Sequence, residues 1–220
     1  MRFYFYIAFV LFFIPITNAQ DVELFQQLGG RIDFTMIGNT MNLEENGPTS
    51  SCSITTESSA VLNLDNSDIL NVAYLYWAGP GEGDFDIKLN DISIVPSRTF
   101  SDLWTALGLP FFSAFADITE QIKNTGNGTY TLSELDVSGI IDIYCPNATN
   151  FAGWAILLIY QNDSLPLNQI NIYDGLQHVP DELTIQLNNL NVIDNQDAKI
   201  GFLAWEGDVA LSVNESLLIN

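Results

Sequence analysis

Short apolar stretches separated by turn residues are what most restrict the fold of this chain. They are rich in β-branched and aromatic side chains, recur roughly every 10 to 15 residues, and are bounded by Gly, Pro, Asn and Asp, the pattern of strands joined by turns. The expected strands are Arg31–Ile37, Ala60–Leu64, Ile69–Ala78, Asp86–Val95, Gly128–Leu135, Gly153–Tyr160, Gln169–Tyr173, Glu182–Leu187 and Lys199–Trp205. Asp86–Val95 alternates polar and apolar residues, which suits a half-buried strand. Gly153–Tyr160 (GWAILLIY) is apolar on both faces and is expected at the centre of a packed sheet. Helical spacing is scarce. It is best over Ala116–Lys123, where Ile118 and Ile122 stand four apart and Asp117 is placed to cap. With no linker, repeat or low-complexity tract, the reading is one all-β domain, a jelly-roll-like β-sandwich with at most one or two short helices.

The N-terminus has the three parts of a secretory signal peptide: the single charge of Arg2, the apolar run Phe3–Ile14, and small residues ending at Ala19. The run is shorter than the ~20 apolar residues that a bilayer span requires. Residues 1–19 are therefore expected to be removed, leaving residues 20–220 as the mature domain and no transmembrane span. Export places the two cysteines, Cys52 and Cys145, in an oxidising compartment, where a disulfide between them is expected.

Charge narrows the partners. Without Arg2 the chain carries five Lys and Arg against 27 Asp and Glu, a formal charge near −22. Such a surface repels phosphate backbones, so nucleic acid is not an expected partner. Disorder is disfavoured by an apolar content of 47% with 12% aromatics, so the charge is read as a solvated shell over a real core.

Few residues offer chemistry. His178 is the one histidine and lies in a turn-like segment, no Gly-x-Ser-x-Gly elbow is present, and zinc ligands of the His and Cys kinds are too few. The glycines of Gly79–Gly83 are followed by Asp84 and Asp86, which would repel phosphate, and by a strand rather than a helix, so they read as a turn. The acidic loops suit calcium better, since hard cations take several loop oxygens. The candidate ligands are Glu82, Asp84 and Asp86, with Asp65/Asn66/Asp68 and Asp194/Asn195/Asp197 as further loops; none has EF-hand spacing. Asn127, Asn147, Asn162 and Asn214 head N-glycosylation sequons.

The segments VAYLYWAG (72–79), FFSAFADIT (111–119), GNGTYT (126–131), TNFAGWAI (149–156), LPLN (165–168), IYDGL (172–176) and IGFLAWEGD (200–208) occur in this order. Together they resemble the N-terminal domain of the large gliding-motility-associated surface proteins of Bacteroidetes-type bacteria. In that family adhesin-like or repeat domains follow, and a type IX secretion sorting domain ends the chain. The resemblance implies a secreted, outer-surface module for adhesion or surface assembly, with no catalytic residues to transfer. The present sequence lacks the sorting domain and stops within strand-like residues Glu215–Ile219, so it is expected to be the front part of a longer protein.

The resulting expectation is a non-enzymatic surface module whose partners are surface glycans or other surface proteins, with no cofactor beyond a candidate calcium ion. One alternative is a carbohydrate-binding module that stacks sugars on Trp77, Trp104 or Trp205. Another is a glycan-active hydrolase using Glu206 and Asp208 as paired carboxylates.

Overall fold

The apolar runs are long enough to be buried on two faces, and the fold uses both. In the computed structural model, residues 21–46, 51–179, 182–191, 198–205 and 217–219 are described. The expected leader 1–19, the loop Asp194/Asn195/Asp197, the carboxylates Glu206 and Asp208, the sequon at Asn214 and residues 215–216 of the last expected strand lie outside them.

Eleven strands form among the described residues: β1 (Glu23–Gly30), β2 (Ile32–Thr40), β3 (Glu57–Leu62), β4 (Ile69–Pro80), β5 (Ile87–Leu89), β6 (Ile92–Ile94), β7 (Arg98–Trp104), β8 (Leu109–Asp117), β9 (Gly128–Ser133), β10 (Gly153–Gln161) and β11 (Asn168–Asp174). One helix, α1 (Thr119–Thr125), and two 3-10 turns, Ile141–Ile143 and Cys145–Asn147, complete the elements. The strands make three antiparallel sheets: β2-β10-β4-β8-β7, β3-β9-β5-β6, and the ribbon β1-β11.

The five-stranded sheet is the middle layer. Along β4, Ala73, Leu75 and Trp77 face the four-stranded sheet and join Leu62, Leu89, Tyr130 and Leu132 in the main core. The alternate residues Tyr74 and Tyr76 face the ribbon, with Phe115, Ile159 and Ile172. Period-two alternation thus feeds two cores from one strand. Trp77 and Trp154 stand opposite each other in the β4–β10 register and are fully buried. At 25 cal/mol per Å², burying an indole of this size contributes about 4 to 6 kcal/mol before entropy is charged against it. Each indole N–H finds an acceptor, Trp77 on the Asp84 carbonyl at 3.0 Å and Trp154 on Ser58 Oγ at 2.8 Å. The expected all-β, sandwich-like class is what forms, and Gly153–Tyr160 does run between two partner strands.

Several local expectations are corrected. Asp86–Val95 is a hairpin rather than one strand: β5 and β6 turn at Asn90 and Asp91, both with positive φ. That two-residue turn is the kind whose twist matches the flanking strands, and Asn tolerates it. The helix starts at Thr119 instead of Ala116, because Ala116 and Asp117 finish β8 and pair with Leu75 and Tyr74 of β4. Asp117 still accepts the Thr119 amide at 2.9 Å. Strands β1, β7 and β8 had no counterpart among the expected strands. Conversely, Glu182–Leu187 and Lys199–Trp205 form no strand. Alternation alone does not make a ladder, and Lys199–Trp205 has side-chain anchors in its place. Lys199 binds Asp33 at 2.8 Å and lies over the Phe34 ring, while Trp205 stacks on Phe151.

Candidate functional site

The cysteines come together as expected. Cys52 precedes the isolated bridge between Asn42 and Ile54, and Cys145 opens the second 3-10 turn. Their disulfide spans a Cα–Cα distance of 5.9 Å, typical of this bond, and fastens two loops to the edge of the main core.

The acidic loop is organised by its own backbone. Asp84 accepts the Asp136 amide at 2.6 Å and the Asp86 amide at 3.3 Å, so its carboxylate ties the β4–β5 connection to residues after β9. Asp68 likewise accepts from Asp65 N at 3.1 Å and from the Asn162 amide at 2.8 Å. Among the described residues, no three His, Cys, Asp or Glu side chains gather closely enough to hold a metal ion. The glycine turn beside Asp84 has no free amide to offer at Gly81, whose N–H reaches Pro110 O at 2.8 Å and the Tyr144 hydroxyl at 3.0 Å. A side chain at Gly81, where φ is +94°, would also collide with Ile140.

His178 is more constrained than its turn-like sequence suggested. Its ring Nδ1 and its backbone amide both lie 2.6 Å from Asp102 Oδ2, and Asp102 is buried on β7 with Oδ1 on the Leu103 amide. The pair pins the segment after β11 against an edge strand of the middle sheet. Nothing in the sequence around either residue announces this contact between positions so far apart.

The tryptophans separate by burial. Trp77 is sealed in the main core and is removed as a sugar platform. Trp104 ends β7 half-buried, and Trp205 is half-buried against Phe151 at 6.5 Å between ring centres and 14° between planes. Phe151 in turn stacks on Phe111 at 5.9 Å and 10°, making three near-parallel rings. Of the sequon residues, Asn127 is committed to the Leu64 backbone through both ends of its amide, at 2.7 and 2.8 Å.

An open cavity lies elsewhere, between β6 and the junction of β8 with α1. It has a volume of about 500 Å³ and is lined on one side by Ile92–Val95 and on the other by Ala116–Gln121. Among the described residues the four-stranded sheet ends at β6, which pairs with β5. Pro96 follows Val95, and Ser97 hands its amide to Phe115 O at 2.8 Å, so the chain leaves this edge to start β7 in the other sheet. Helix α1 is held beside the hairpin by Gln121, which donates to Leu89 O at 2.8 Å. Ile92 and Val95 are exposed to 54% and 81%. Exposed Asp117 and Glu120 stand on the opposite wall. The signals for this site were the Asn90-Asp91 turn and Pro96, which together define a short edge strand.

Among the described residues no helix is long and apolar enough to cross a membrane. No protein-family model, curated protein or solved structure matches the chain.

Proposed function

We propose that the protein is an exported, non-enzymatic module of the outer cell surface that contributes to adhesion or surface assembly. The observation that carries this reading is the open groove at the β6 edge, lined by apolar and polar side chains alike and mounted on a disulfide-fastened, doubly packed β scaffold. A rigid scaffold with an exposed sheet edge and apolar side chains is suited to holding another chain. The leader-like residues 1–19, the acidic surface and the resemblance to gliding-motility-associated surface proteins point the same way. The test uses intact cells of the producing bacterium. Protease added outside should degrade the protein, and deleting its gene should reduce attachment to a surface. A protein that is protected until lysis, with attachment unchanged in the deletion strain, would overturn the reading.

The stack of Phe111, Phe151 and Trp205 favours a second reading, a carbohydrate-binding module, because partly exposed parallel rings can receive sugar faces. A glycan array separates the two. Binding of a defined glycan that is lost in Trp205→Ala would favour the carbohydrate module.

A further inference from the structure

The β6 edge and its groove point to a specific kind of occupant. We infer that this groove binds an extended peptide segment of another protein, alternating apolar residues and flanked by Lys or Arg, which adds to β6 as a further strand. The inference deepens the surface-assembly reading and rests on it.

Three observations converge on a strand. The outer edge of β6 has no strand partner among the described residues, and edge backbone groups pair readily with an incoming extended chain. The space beside that edge, about 500 Å³, is an open trough rather than a closed pocket, bounded by strand on one wall and by the start of α1 on the other. Along this edge Ile94 is packed into the main core at 8% exposure, while Ile92 and Val95, on opposite faces of the strand, are left uncovered for a partner's side chains.

Charge selects the partner. Asp91 sits at the hairpin tip beside Ile92, and exposed Asp117 stands on the opposite wall. The nearby cations are already engaged: Lys123 with Glu120 at 3.1 Å and Lys88 with Glu134 at 2.7 Å. An acidic peptide would meet these carboxylates and a chain of net charge −21, whereas a basic one is attracted on approach and at the rim. The short hairpin and the twist at Asn90-Asp91 keep the edge narrow, so side-chain fit has to supplement the few backbone bonds available.

The experiment pans the purified chain against a random library of displayed peptides about ten residues long, the span of a long strand. Enriched peptides should alternate apolar residues between Lys or Arg, and should slow amide exchange at Ser93, whose N–H faces away from β5. Their affinity should fall by about tenfold or more in Ile92→Lys and in Val95→Lys, exposed substitutions that leave the core intact. No enrichment, or enriched peptides that bind both variants as well as the parent, would overturn the proposal. So would concentration-dependent dimerisation that Ile92→Lys abolishes, since the occupant would then be a second copy. A protein that binds such peptides but stays inside intact cells would refute the surface reading and not the groove. One that is displayed on the surface and binds none would do the reverse.

Discussion

Arg98 and Asp174 join two layers of the protein through a two-pronged ion pair. The guanidinium of Arg98, on β7, places Nη1 2.9 Å from Asp174 Oδ1 and Nη2 2.6 Å from Oδ2, at the end of β11. Its Cζ lies 3.8 Å from the centre of the Phe25 ring and 4.1 Å from that of Phe115, so the cation rests against two rings set at 72° to each other. The Tyr76 hydroxyl donates to the same carboxylate at 2.9 Å. One charged contact therefore fastens the β1-β11 ribbon onto the middle sheet.

Asp174→Ala should destabilise the fold by about 2 to 4 kcal/mol, because it leaves a partly buried guanidinium unpaired. The double variant Arg98→Met with Asp174→Ala should cost less than the sum of Arg98→Met and Asp174→Ala measured singly, since neither charge is then stranded. Urea denaturation of the four proteins measures both. Additive losses would show that the two side chains do not act as a pair.

Opening the disulfide by Cys52→Ser should lower stability by about 2 to 5 kcal/mol, given a sequence separation of 93 residues. Mass analysis of the unreduced protein after alkylation should find no alkylated thiol. Two alkylated cysteines in that sample would remove the bridge.

Alkaline pH should weaken the protein through Tyr76. Burial, with the adjacent Asp174 carboxylate, pushes its phenol far above the ordinary tyrosine value. A group whose folded pKa is raised contributes stability that is complete below its unfolded pKa and lost as pH climbs past it, here above about 10. Tyr76→Phe should cost about 1 to 2 kcal/mol near neutrality through the lost hydrogen bond. It should also fall less steeply than the parent above about pH 10. Denaturation curves across alkaline pH are the check, and parallel slopes would refute the assignment.

Gly38→Ala should be costly although nothing about Gly38 looks special in the sequence. A Cβ there would sit 2.3 Å from the Trp154 carbonyl oxygen and 2.8 Å from the Ala155 Cα, both backbone atoms of the neighbouring strand that cannot step aside. The expected loss is about 2 to 3 kcal/mol. Gly139→Ala, where a Cβ meets nothing within 4 Å, is the control and should be nearly neutral. Equal thermal shifts in the two variants would contradict the close approach.

Sequence by itself determined the class of this protein. Its alternating and doubly apolar segments place β4, β10 and β11 nearly where they fall, because burial on one or two faces is written in the period of the side chains. The pairing of Cys52 with Cys145 was legible for a simpler reason, since each of two cysteines has one possible intramolecular partner. Tertiary structure decided the rest. Lys199–Trp205 has strand-like residues but no ladder partner, and Leu109–Asp117, carrying Pro110, becomes a strand because β4 and β7 flank it on either side. The contacts of Arg98 with Asp174 and of Asp102 with His178 each join residues 76 positions apart. The groove exists only because the chain leaves the β6 edge for the other sheet. Local periodicity records which face of a segment is buried. Which segment lies against that face depends on how separated parts of the chain pair, and only the folded molecule fixes it.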